Sequence, residues 1–212
     1  MGMTLPRLTP EALKAAVLEM CEGATEMIRL TRDAFYQHPT ATLDKVSGLG
    51  RDLHHREKRL TDHVAAQLRE APWSLGPTEH LAFLPAALER IGDQVEALAR
   101  CVQGIHREGV PFSDRAFGEI MSLFNRGGDL LTEIANAIRT GDQAAPARIR
   151  EAGAALQTLC DEAAMHHQDR VLHRTCTPRA SSVFLAMLDY FREIERYVRR
   201  MSTAVEKSLL VA

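Results

Sequence analysis

The chain has 212 residues, a net charge of −2, 45% hydrophobic and 25% charged residues, the balance of an ordinary globular protein. Only 5% of residues are aromatic, with Trp73 the single tryptophan, and a core built from Leu, Ala, Ile and Val suits helices better than sheets. The near-neutral charge gives no general electrostatic pull toward nucleic acid or an anionic membrane, and the longest apolar runs fall short of a membrane span.

Breakers and caps divide the chain into six predicted helices. Thr9 caps the first, Pro10 occupies its first position, and His38-Pro39 stops it after Gln37. Thr42 opens a second that runs through Glu70 to Ala71-Pro72. Gly76-Pro77 opens a third that reaches about Arg107, with Gly109 and Pro111 beyond it. Ser113 caps a fourth that ends at Thr140-Gly141. Pro146 lies in the first turn of a fifth, which ends between His173 and Cys176. Pro178 and Ser181 open the sixth, which continues to about Leu209. At roughly 25–30 residues each helix is about 40 Å long, and long helices joined by short loops pack antiparallel.

Sliding the chain by 103 residues superposes its two halves without a gap. Glu26-Met27-Ile28 falls on Asp129-Leu130-Leu131, Leu53 on Leu156 and His63 on His166. Leu88, Ile91, Val95 and Leu98 fall on Phe191, Ile194, Val198 and Met201. The expected fold is all-α: a tandem repeat of two antiparallel three-helix bundles, residues 9–107 and 113–209. Recurrence of apolar residues at helical spacing explains part of the match without duplication.

Cys21, Cys101, Cys160 and Cys176 are widely spaced with no CxxC pair, and the start MGMTLPRLTPEAL lacks a secretory h-region. These features predict reduced thiols, mostly filling core, in a cytoplasmic protein. There is no HExxH, no Gly-rich phosphate loop and no nucleophile elbow. The carboxylate–histidine pairs of diiron bundles are absent at their required spacing. No nucleophile, base and oxyanion set assembles, so no catalysis is expected.

The third helix contains Leu88-Glu89-Arg90-Ile91-Gly92-Asp93. Glu89 and Asp93 are four residues apart on one helix face, where like charges repel unless a cation or an arginine such as Arg90 meets them. Oxygen donors suit Mg²⁺ or Ca²⁺, and with histidine they also suit Fe, Mn or Zn. A solvated acidic face beside Arg90 is the alternative. Gly92, costly mid-helix by about 1 kcal/mol, fits a close approach between helices.

This hexapeptide, within a tandem three-helix pattern spanning nearly the whole chain, resembles the signature of the PhoU family of phosphate-transport regulators. The second half, with His167-Gln168-Asp169-Arg170 before a short loop and Met187 to Phe191 in the last helix, is similar to the PhoU-like domain of sodium/phosphate cotransporters. The resemblance implies a non-enzymatic regulator peripheral to the membrane, bound to a phosphate transporter, sodium/phosphate cotransporter or sensor kinase, with homodimerisation open. It also implies that Glu89 and Asp93 are metal ligands, with Asp52, His54 and Glu57 of the second helix as partners. The second half departs from the pattern: Arg192, Arg196 and Cys160 stand where Glu89, Asp93 and Glu57 stand in the first. Arg192, Arg196, Arg199 and Arg200 form a basic stripe, either a solvated face paired with Glu193 and Glu195 or an anion- or partner-binding face. His63 and His166, equivalent under the offset, are expected to make interhelical hydrogen bonds. Rival readings are a metal-storage or metal-dependent helical bundle and a generic helical scaffold.

Overall fold

The computed structural model describes residues 8–37, 41–70 and 76–210. Six long α-helices follow one another: α1 (Pro10–Gln37), α2 (Ala41–Glu70), α3 (Leu84–Glu108), α4 (Asp114–Thr140), α5 (Ala145–Leu172) and α6 (Pro178–Leu210). The predicted breaks at His38-Pro39 and Ala71-Pro72, and Trp73, lie outside the described residues. Thr9 Oγ1 accepts from the Ala12 amide at 3.2 Å, and Ser113 Oγ accepts from the Ala116 amide at 3.3 Å, so both predicted caps satisfy amides that the helix itself leaves free. Gly109 and Gly141 close α3 and α4 in the left-handed conformation, at φ 59° and 71°, which costs glycine nothing.

The third helix differs from its prediction. Residues Gly76–Phe83 form a 3-10 helix, and the α-helix starts only at Leu84. Pro85 sits in the first turn of α3. Deeper in a helix its ring would strike the carbonyl four residues back, that of Leu81, and its missing amide would break the ladder. The chain therefore winds tighter up to Phe83 and restarts with Pro85 where a proline is tolerated.

Helices α1, α2 and α3 pack on one another, as do α4, α5 and α6, while α1 lies on α4 and α3 on α6. One continuous apolar core therefore runs through both triplets. Leu88, Ile91, Val95, Leu98, Phe191, Ile194, Val198 and Met201, aligned by the offset, are all fully buried. The α1–α4 seam is close: a Cβ added at Gly127 would lie 2.9 Å from Cδ1 of Ile28. Phe35 stacks on Phe117 across this seam at 4.8 Å, and Phe124 of α4 meets Phe191 of α6 edge-on at 5.0 Å. Gln67, near the end of α2, clasps the backbone of Leu8 through both amide ends, at 2.7 and 3.1 Å. Among the described residues no helix is long and apolar enough to cross a membrane.

Candidate functional site

Helices α2 and α3 run antiparallel, and their contact is set by small residues. A Cβ at Gly92 would lie 3.0 Å from Leu53 Cδ1, so the glycine predicted to permit close approach sits where α2 presses on α3. On the same seam a Cβ at Gly50 would lie 2.0 Å from Glu96 Oε1. One turn further, His54 Nδ1 lies 3.3 Å from Glu89 Oε1. Gly50, His54 and Glu57, at i, i+4 and i+7, share the side of α2 that faces α3. Asp52 lies about 200° around the helix from Gly50 and is exposed.

Three of the five expected metal ligands line one groove, and two of them meet. Glu89, His54 and Glu57 line one groove of about 620 Å³, which Asp52 and Asp93 do not line. Glu89 retains only 17% side-chain exposure and Asp93 retains 48%. Asp93 accepts from Arg90 Nη1 at 3.2 Å, and Arg90 Nε also lies 3.6 Å from Glu89 Oε2. The carboxylate that follows Glu89 along the α2-facing side is Glu96, seven residues on, rather than Asp93. Glu96 escaped the sequence reading, and its signal was the bare Gly50 on the facing helix. Among the described residues, no three His, Cys, Asp or Glu side chains form a group able to hold a metal ion. The donors that do meet are a pair, Glu89 and His54, with an arginine beside them.

The basic stripe of α6 divides. Arg192 bonds Asp189 at 2.9 Å and Asp161 of α5 at 3.1 Å. Arg196 bonds Glu193 at 3.1 Å and lies over the Tyr197 ring at 4.9 Å. Arg199 reaches Glu195 at 3.3 Å. Arg200 is exposed and has no acidic partner among the described residues, and it lines the same groove as His54, Glu57 and Glu89. Residues from α2, α3 and α6 therefore share one surface. Its apolar part includes Leu84, Met201 and Ala204, and Phe83 stands at its edge with 75% of its surface exposed. An aromatic ring so exposed beside paired charges is unusual for a surface with only water to meet.

The equivalent histidine of the second half makes the interhelical bond expected of it: His166 Nδ1 on α5 lies 2.9 Å from Glu119 Oε1 on α4. Glu119 also accepts from Arg170 at 3.0 Å and lies 3.3 Å from Arg115. Glu195, at the end of the Arg199 contact, is buried against Gly153, and burial raises its pKa while Arg199 lowers it. All four cysteines are free. Cys21 and Cys160 are buried, and burial pushes each thiol up to about 12.

Residues 17–102 match the PhoU domain. No curated protein sequence matches the chain. PhoU from Pseudomonas aeruginosa superposes with a TM-score of 0.84 at 16% identity, covering 95% of this chain and 97% of that one. The phosphate transport system regulatory protein PhoU from Streptococcus pneumoniae gives a TM-score of 0.79 at 9% identity, covering 92% of each chain. A PhoU-like protein from Shewanella oneidensis MR-1 gives 0.65 at 10% identity, over 94% of this chain and all of that one. The match covers the core of the first helical triplet and includes the Leu88–Asp93 hexapeptide, and the superpositions cover both triplets: residues 17–102 are similar to the PhoU domain, and the chain as a whole has the fold of the PhoU structures.

Proposed function

We propose that this protein is a PhoU-type regulator of phosphate transport or phosphate signalling that acts by binding another protein, not by catalysis. The observation that carries the reading is the groove of about 620 Å³ between α2, α3 and α6. It combines the buried apolar side chains Leu84 and Met201, the exposed Phe83 ring, and charges of both signs in Glu57, Glu89, Arg90 and Arg200. Such a surface fits an amphipathic protein segment better than a small substrate, which calls for an enclosed pocket with convergent polar groups. The partner proposed is a phosphate transporter, a sodium/phosphate cotransporter or its sensor kinase, met at the cytoplasmic face of the membrane.

A divalent or iron ion belongs to the same proposal. Glu89 and His54 would hold it, and Arg90 would have to leave Glu89 and Asp93 for further carboxylates to join. The ion would neutralise the acidic side of the groove and so alter which partner charges it accepts.

The test is deletion of the gene with phosphate uptake followed at high and low external phosphate. Uptake that no longer falls at high phosphate supports the reading. Uptake unchanged under both conditions rejects it in favour of a scaffold with no link to phosphate.

A further inference from the structure

At the other end of the second triplet, the start of α4, the start of α6 and the last turns of α5 enclose a small pocket of about 20 Å³. That is room for one water-sized group. Its wall includes His167 and Arg170 of α5. His167 is 3% exposed, and its Nε2 lies 2.7 Å from Ser181 Oγ, while its Nδ1 is buried with no partner. Arg170 keeps 11% side-chain exposure and gives one nitrogen, Nη1, to Glu119, while its Nη2 is buried with no partner. Both side chains are held in place by the Phe184 ring: the imidazole stacks on it at 5.2 Å and the guanidinium lies over it at 4.7 Å. Two buried nitrogens without partners at one small pocket are an exception among folded proteins, where such groups are nearly always satisfied.

We propose that this pocket binds a small inorganic anion, admitting one anionic atom: a halide, or one oxygen of an oxyanion such as inorganic phosphate. Three observations give the sign. Arg170 always carries its charge, and a guanidinium N–H can only donate. The pocket lies against the N-terminal turns of α4 and α6, with Ser113, Ala116 and Ala180 in its wall, and those ends carry partial positive charge. Glu119, the carboxylate beside Arg170, is shared with Arg115 and His166, so the cluster retains positive charge. Burial and then Arg170 lower the pKa of His167, which leaves a neutral ring. In the tautomer whose Nε2 accepts from Ser181 Oγ, that ring presents Nδ1–H as a second donor. A water molecule would also need acceptors for its own hydrogens, and among the side chains of the wall only the rim hydroxyls of Ser113 and Thr175 and the thiol of Cys176 can accept, while Phe112, Phe184, Ala116 and Ala180 offer none. A halide or oxyanion oxygen needs donors alone. The exposed Ser113 and Thr175 at the rim leave the remaining oxygens of a phosphate outside.

The test uses the full chain and two measurements. Crystals soaked in sodium bromide should show an anomalous peak within hydrogen-bond distance of His167 Nδ1 or Arg170 Nη2. In solution, chloride and inorganic phosphate are titrated at constant ionic strength while the ring signals of His167 are followed by NMR. The expected result is a saturable shift that weakens roughly tenfold or more in Arg170→Gln, the loss of a charge-assisted donor. It should be unchanged in Arg148→Gln, which alters an exposed arginine at the far end of α5. If Arg170→Gln does not fold, Cys176→Leu narrows the pocket without removing charge and should abolish the shift. Response to phosphate alone assigns an oxyanion, and response to chloride assigns a halide-sized site. No bromide peak together with no saturable shift overturns the proposal and leaves a bound water.

Discussion

The bare backbone at Gly50 of α2 is the seat of Glu96 from α3, whose Oε1 lies 2.0 Å from where a Cβ would stand. Across the 103-residue offset, Gly153 of α5 likewise faces a glutamate of its neighbouring helix: Glu195 Oε1 on α6 lies 3.2 Å from the position of its Cβ. In both halves a glycine thus lets a carboxylate chain lie flat between helices. The glutamates are not equivalent in register, since Glu195 corresponds to Gly92 and Glu96 to Arg199. Where the first half presses Leu53 onto a glycine, the second buries a carboxyl group.

Replacing Gly50 by alanine should therefore give less than its helical benefit. The propensity gain is about 1 kcal/mol in a helix interior, but the new methyl must push Glu96 aside. In a Glu96→Ala background the obstacle is gone, and Gly50→Ala should recover the full gain. Urea unfolding of the four proteins of this cycle measures the difference. Equal gains in both backgrounds would place Glu96 elsewhere.

Glu195 gives a prediction in pH. Its raised pKa means the folded state favours the protonated form. The stability contributed by that form is fully present below the unfolded glutamate range and is lost as pH rises through the raised folded value. Glu195→Gln, which keeps an acceptor for Arg199, should be more stable than the parent by on the order of 1 kcal/mol at neutral pH. The two should converge in acid. A Gln variant less stable at neutral pH would mean that the Arg199 pair outweighs desolvation.

The metal proposal is tested by calorimetry of the metal-free protein with Fe²⁺, Zn²⁺, Mn²⁺, Mg²⁺ and Ca²⁺. Binding should be lost in Glu89→Gln and in His54→Ala, the pair that meets at 3.3 Å. Asp93→Asn, whose carboxylate is held by Arg90, should weaken it less, by about tenfold or under. Charge changes at Arg192 should have no effect. Equal binding in the Glu89→Gln, His54→Ala double variant would exclude these ligands.

Several helix ends were legible in the sequence because a local device marks them. Thr9 and Ser113 cap, and Gly109 and Gly141 close, without help from the rest of the fold. Pro85 was equally visible, but the apolar periodicity on both sides of it reads straight through, so the switch from 3-10 to α winding was missed. The candidate site was only half legible. The spacing of Glu89 and Asp93 places them on one helix face, yet the sequence does not say that Glu89 turns toward α2 while Arg90 holds the more exposed Asp93. Glu96 and Arg200 gain their places from neighbours on other helices: Gly50 opposite Glu96, and the meeting of α2, α3 and α6 around Arg200.

The thiols separate by burial. Cys21 and Cys160 are sealed in the core and pushed up to about 12, so they should resist alkylation while the chain is folded. Cys101 and Cys176 are half-buried and should be modified first, in native protein, at neutral pH. Mass spectrometry of iodoacetamide-treated protein reads the order. Early labelling of Cys21 would show that α1 opens from the bundle on the timescale of the reaction.

The last prediction concerns the groove. Arg196 and Arg199 are engaged with Glu193 and Glu195 on their own helix, so reversing their charge changes intrahelical pairing as much as any partner contact. Arg200 lines the groove and Phe83 stands exposed at its edge. Neither holds the core together, so Phe83→Asp and Arg200→Glu should leave the helical circular dichroism and unfolding midpoint nearly unchanged, as exposed substitutions usually do. Both should weaken association with the proposed transporter or sensor partner, Phe83→Asp more strongly, because an aromatic anchor carries more binding energy than a rim charge. A loss of about 2 kcal/mol or more, some thirtyfold in affinity, is expected for Phe83→Asp, and about 1 kcal/mol for Arg200→Glu with a clear salt dependence. Binding measured by interferometry that is insensitive to both substitutions would remove the groove as the docking surface. The exposed backs of α2 and α5 would then be the next surfaces to test.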